Sequence, residues 1–399
     1  MVTINITGKA VAVFSAITAL VVAAAVTLFV YRDRLFHSAD FELGDELGGN
    51  VFPSMLLSVA ATNTLIVNPA YSPALGNPKA GIYLRIMAPQ ANTRLRVEID
   101  ETPFSKRSVS EFILPQKEVL YTIYPDISWN YEALRANDQA EPINLVVSVQ
   151  VANRGPIQHT RTLSVRSINE CMLGYVDNKN RFHNTGVLFG AYVNEESPLI
   201  DEILREALNT RIVNRFLGYQ HKRKDYVDRQ VYALWNVLQR RKFRYSSVSY
   251  SSLSSNVVFS QRVRTFEDAM RSSQINCVDG SVVFASLLRA INIDPILVRK
   301  PGHMYVGYYT DSKHTHTEFI ETTMIGDIDL DDFFPEDKLD STAQGKSQDE
   351  MSRLTFEKSK EYARRNYSAD SASLHANAPQ YMFLEISKKL RRTIQPIGR

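Results

Sequence analysis

The stretch "INCVDGSVVFASLLRAINIDPILVRKPGHMYVGYY", Ile275 to Tyr309, puts one of the chain's two cysteines at the head of an apolar run that ends beside a histidine. The run has helical spacing. Val278, Val282, Ala285, Leu287 and Leu288 supply its buried face, and "INIDPILV" leads through Pro295 into a strand. A cysteine opening an apolar helix is ordinarily packing, because free cysteine is among the most buried residue types. The helix amino end offers a second role. A free thiol has a pKa of about 8.5, and a helix first turn with a neighbouring imidazolium lowers it to roughly 3.5 to 7.5. A nucleophilic thiol also needs a base held on a rigid element. "GHMYVGYY" sets His303 at the opening of an alternating strand, after Pro301-Gly302. The next strand, "TEFIETT", offers Glu321 to orient the imidazole. For an oxyanion the backbone N–H of Cys277 is the natural donor, with Gln274 or Asn276 as a candidate second.

A cysteine at a helix start, a helix ending in "LLRAINIDP", then "GHMYVGYY", then an acidic residue followed by threonine: this order resembles the transglutaminase-like superfamily, in its membrane-anchored bacterial type. The likeness reaches upstream to "QRVRTFEDAMRSSQIN" and downstream to "LEISKKLRRTIQP". It implies a papain-like α+β domain in which a helix bearing Cys277 packs on an antiparallel sheet. Cys277 would be the nucleophile, His303 the base and Glu321 its partner. Two positions depart from the family pattern: Tyr305 stands where a tryptophan is usual, and Glu321 where aspartate is commoner. The implied chemistry is attack on a peptide or protein amide through a thioester, with water or an amine as acceptor. The expected activity is that of a cysteine protease or amidase needing no cofactor and no metal. The alternative is a catalytically inactive scaffold that binds a protein partner.

Around this segment the chain is ordinary globular material of 399 residues, 44% hydrophobic and 22% charged. With 46 basic and 43 acidic residues, its net charge of +3 gives no electrostatic argument for a nucleic-acid partner. Residues 10–31, "AVAVFSAITALVVAAAVTLFVY", carry no charge and are long enough to cross a hydrocarbon core of about 30 Å as a helix. A cleaved signal peptide is the competing reading. The anchor predicts a single-pass inner-membrane protein with a periplasmic body. Residues 32–50 then read as linker. From 51 to 167 the period is two: Leu95, Val97 and Ile99 alternate with Arg94, Arg96 and Glu98, as in an antiparallel immunoglobulin-like sandwich.

From Glu196 the period becomes helical, with helices predicted from Ser197-Pro198 and over 225–241 and Trp235 in the core. The serine-rich 246–255 reads as a surface loop. The expected organisation is an α+β chain with a tail over 1–9, the anchor over 10–31, the linker, the sandwich, a transglutaminase-like domain over 168–340 and a helical extension over 341–399. His314, His316 and Glu318 form an H-x-H-x-E run, but "TDSKHTHTE" reads as a polar hairpin tip with no further ligand nearby. The acidic stretch with Asp327, Asp329, Asp331 and Asp332 lacks the spacing of a calcium loop. Asp279 and Arg289 on the cysteine helix are either catalytic helpers or an ion-paired surface. The basic ending with Lys388, Lys389, Arg391 and Arg392 reads as a solvated helix face, with lipid headgroups as a lesser reading.

Overall fold

The computed structural model describes Val21 and residues 40–221, 224–246, 253–272, 274–326, 328–337, 339, 343–376 and 378–398. Residues 247–252 of the serine-rich loop, and Asp327, lie outside that set. Its first half runs β1 (Glu42–Asp45), β2 (Asn50–Val51), α1 (Pro53–Val59), β3 (Ala74–Gly76), β4 (Ile82–Met87), β5 (Thr93–Ile99), β6 (Ser105–Lys106), β7 (Ser108–Leu114), β8 (Leu120–Tyr124), β9 (Ser128–Trp129), α2 (Tyr131–Ala136), β10 (Glu141–Val151) and β11 (Ile157–Val165). Two larger sheets form, ordered β1-β4-β8-β3 and β2-β11-β10-β5-β7, and their buried residues share one core. Alternation sets the faces. On β5, Leu95, Val97 and Ile99 are buried while Arg94 and Arg96 are exposed, and each such apolar side chain contributes roughly 1.5–3 kcal/mol of burial.

The sandwich departs from the sequence reading in two ways. It is not wholly antiparallel, because the short edge strands β2 and β3 join β11 and β8 in parallel. Residues 42–51 are not linker but strands β1 and β2, held by apolar anchors: Phe41 and Leu47 are buried, and Asp45 Oδ2 accepts from Arg161 Nε of β11 at 2.7 Å.

The second half continues with β12 (Glu170–Val176), β13 (Phe182–Asn184), α3 (Phe189–Tyr192), α4 (Pro198–Asn209), α5 (Lys224–Arg240), β14 (Arg244–Tyr245), β15 (Val258–Arg262), α6 (Phe266–Ser272), β16 (Gln274–Ile275), α7 (Cys277–Ala290), β17 (Pro295–Lys300), β18 (His303–Tyr309), β19 (Thr317–Ile320), α8 (Gln348–His375) and β20 (Met382–Glu385). The sheet β19-β18-β17-β20 is antiparallel throughout. It is buried on both faces. Leu297 of β17 joins the main core with Val282 and Leu288 of α7, while Ile296 and Val298 join a second cluster with Ala363 and Leu374 of α8. Trp235 of α5 lies near Phe284 and Phe356 and donates its indole N–H to Thr355 Oγ1 at 3.3 Å.

The segment after residue 340 is more than a helical extension. It supplies β20, which pairs with β17 from Ile296–Glu385 to Arg299–Met382. Its basic ending is partly turned inward: Arg391 pairs with Glu195 and donates to the carbonyls of Gly190 at 2.8 Å and Val193 at 2.7 Å.

The membrane anchor, and with it the single-pass periplasmic placement, is corrected: among the described residues no helix is long and apolar enough to cross a membrane. The longest, α8, has 28 residues but carries charges along its length, among them Arg353, Glu357, Lys360 and Arg364. Residues 10–31 themselves, Val21 apart, lie outside the described residues.

Candidate active site

Three elements converge on one point. The first is the start of α7. Asn276 is its N-cap, its side chain accepting from Asp279 N at 2.8 Å, while Asp279 Oδ2 accepts from Asn276 N at 3.2 Å to close a capping box. Asp279 is fully buried and also holds Arg264, through the Arg264 backbone N–H at 2.8 Å and its guanidinium at 2.5 Å. Burial raises the Asp279 pKa against the opposing pull of those bonds. The cap fixes Cys277 as the first helical residue. It leaves the N–H groups of Cys277 and Val278 without an acceptor inside the helix.

The second element is the β17–β18 hairpin. Lys300 pairs with His303 across a two-residue turn of Pro301 and Gly302, with Gly302 at φ +72°, a region that a Cβ disfavours. His303 is therefore held on the first rung of a ladder. The third element follows β19: Glu321 caps the short 3₁₀ turn Thr322–Met324, and its Oε1 accepts from Thr323 N at 3.0 Å and Thr323 Oγ1 at 2.7 Å. Its other oxygen, Oε2, meets His303 Nε2 at 2.7 Å.

With Nε2 engaged by Glu321, the ring nitrogen left to Cys277 is Nδ1. Burial works to lower the His303 pKa, but hydrogen bonds with Cys277 and Glu321 and the charges of both outweigh it, raising the value to about 10. Helix α7 comes close to the glutamate's turn because residue 280 is glycine: an added Cβ would stand 2.9 Å from Thr322 Oγ1. Ser281 Oγ ties the helix further, donating to the Cys277 carbonyl at 2.7 Å and lying 3.3 Å from Thr322 Oγ1. Cys277 is 6% exposed and opens on a cleft of about 270 Å³, whose walls include Ser260, Gln261, Arg299 and His303.

The structure thus brings Cys277, His303 and Glu321 together, the glutamate one residue beyond its strand. It gives other candidates different work. The Asn276 side-chain oxygen is engaged in the cap. Asp279 anchors the helix start, and Arg289 pairs with Asp294 near the far end of α7. His314 meets Asp294 and stacks on Tyr309, His316 meets Thr315, and Glu318 pairs with Arg364, so the H-x-H-x-E run does not converge. Asp329 caps the turn Leu330–Asp332. Tyr305 is sealed in the second cluster.

One neighbour and one bond escaped sequence reading. Tyr245 is on β14, which pairs in parallel with β16 just before Cys277; its pKa is raised by burial first and then by the charges of Cys277 and Glu321. No periodicity marks a two-residue strand. The bond from Asp279 to Asn276 did have a signal, since the Asn276-x-x-Asp279 spacing is close to that of a capping box. No family model matches the chain, and no curated protein matches it in sequence.

Proposed function

We propose that the chain is a thiol enzyme acting on amide bonds of peptides or proteins, with Cys277 as nucleophile, His303 as acid and base, and Glu321 holding the imidazole. One observation carries this reading: a cysteine at a capped helix start and a buried carboxylate share one histidine beside a cleft. A histidine whose pKa is raised to about 10 holds its proton at neutral pH, which supports His303 as the acid that serves the leaving nitrogen.

The thiolate sulfur attacks the carbonyl carbon, and the electron pair moves to oxygen. The N–H groups of Cys277 and Val278, in the first turn of α7 and without acceptors inside the helix, would receive that charge. As the carbonyl re-forms, the C–N bond breaks and His303 gives its proton to the departing nitrogen, leaving a thioester. His303, now neutral, takes a proton from water or an amine; this attacks the thioester, and the thiolate leaves. Glu321 orients the ring and stabilises the imidazolium throughout. The resemblance to the transglutaminase-like superfamily supports the same assignment. With water as acceptor the result is a protease or amidase, and no group in the cleft is needed beyond the chain's own.

The test compares purified wild type with Cys277→Ala and His303→Ala on a complex peptide mixture. New termini, deamidated side chains or amine-linked products should form with wild type alone. Identical product maps for all three proteins would leave the chain as a binding scaffold.

A further inference from the structure

β17 ends in two adjacent cations with opposite surroundings. Lys300 belongs to the α8 side of the sheet, where its ammonium pairs with Asp370 at 2.6 Å and donates to Asn366 Oδ1 at 3.2 Å. Arg299 has the opposite direction. It shares the face of Leu297, which packs in the core with α7, and it lines the cleft together with Cys277 and His303. Strand register fixes it there, since Arg299 pairs with Met304, one rung from the Lys300–His303 pair.

Among the described residues no carboxylate and no side-chain hydrogen bond engages the Arg299 guanidinium. Among the described residues the cleft lining contains no Asp or Glu, and the carboxylate behind His303 is already occupied by that ring and by Thr323. Burial lowers the Arg299 pKa, with the buried Cys171 as its other electrostatic neighbour, yet a guanidinium keeps its charge at any physiological pH. A partly desolvated cation without a partner is costly to hold, and its planar fork matches a carboxylate with two parallel hydrogen bonds.

We propose that Arg299 is the anion-recognition residue of this cleft, and that the acyl substrate of Cys277 carries a carboxylate next to the attacked carbonyl. This rests on the thiol-enzyme reading above and names its substrate class. The carboxylate belongs either to an Asp or Glu side chain or to a free chain terminus.

The test is alkylation of Cys277 in the native protein, followed by mass spectrometry, with anionic iodoacetate and neutral iodoacetamide. In both reactions the S–C bond forms as iodide departs, so the rate ratio reports anion attraction; the imidazolium of His303 contributes equally to all variants. Arg299→Gln should lower the ratio of iodoacetate to iodoacetamide rates about tenfold, the effect of one partly desolvated charge pair, and Arg299→Lys should keep most of it. A ratio unmoved in Arg299→Gln overturns the proposal, provided the iodoacetamide rate is fast and depends on His303. A slow, His303-independent rate instead overturns the thiol-enzyme reading beneath it.

Protection by peptides then separates the two sources. An amidated peptide with an internal Glu tests the side chain, and a peptide without acidic side chains but with a free carboxyl terminus tests the terminus. A neutral amidated peptide is the control. Protection by either acidic probe above the control assigns the source. Protection by neither overturns the proposal.

Discussion

Cys171 and Cys277 are both buried, yet their surroundings differ in every respect that governs reactivity. Cys171 lies within β12 at 0% exposure; burial pushes its thiol far above the ordinary range, with Arg299 as a weaker opposing influence. Cys277 lies at a helix amino end, beside a histidine whose pKa is raised, and open to a cleft. Residual exposure of a few per cent barely separates them. What separates them is company: β12, in the sheet β13-β12-β15, has its sulfur closed over within the apolar core, and the start of α7 frames the other with a cap, an imidazole and an aperture.

The largest expected effect is the contrast itself. At pH 7 a thiol-reactive probe should label Cys277 about 10³-fold faster than Cys171, since a sealed residue reacts only through opening events that cost several kcal/mol. His303→Ala should slow Cys277 about 10²-fold, in the range of a lost acid–base partner. Mass spectrometry of the labelled peptides reads both, and equal rates would break the contrast.

The next effect is structural. Arg264→Ala leaves the buried Asp279 carboxylate unpaired, which should cost about 3 kcal/mol in denaturant unfolding and draw the Cys277 rate down toward that of Cys171 as the helix start loosens. A loss below about 1 kcal/mol would show that the cap holds without its cation.

The smallest effect is a pH dependence, whose sign follows from His303. A histidine whose folded pKa is raised to about 10 from an ordinary 6.5 contributes stability that is fully present below 6.5 and is lost as pH rises through 10. The stability difference between wild type and His303→Gln should therefore shrink between pH 7 and pH 10, and acyl transfer should fade over the alkaline end as the leaving nitrogen loses its proton donor. Thermal unfolding across that range reads the first. A difference that grows with pH would mean His303 is neutral in the folded chain.

Much of this was legible in the sequence because local periodicity carried it. Leu95, Val97 and Ile99 announce a half-buried strand, and Val278 through Leu288 announce a buried helix. Cys277, His303 and Glu321 fall close together in chain order on successive elements, so local reading could assemble them. What escaped depends on distant partners or on very short elements. β1 is fixed by Asp45 meeting Arg161 of β11, and the partner of β20 is β17, across the whole of α8; neither pairing leaves a mark in its own short stretch. The vacancy opposite Arg299 escaped for the same reason. Its charge is visible in the sequence, but that no described residue supplies a counter-charge shows only when the neighbours are assembled.

The pairing of β20 with β17 carries a consequence for biogenesis. Until synthesis has reached Glu385, the strand that holds Arg299 has an unsatisfied border, and the hairpin bearing His303 lacks one flank. Such a long-range closure is slow compared with forming the helix around Cys277. A nascent chain would therefore expose its sulfur-bearing helix well before the surrounding sheet is complete, so the pieces of the cleft come together only when β20 has docked on β17.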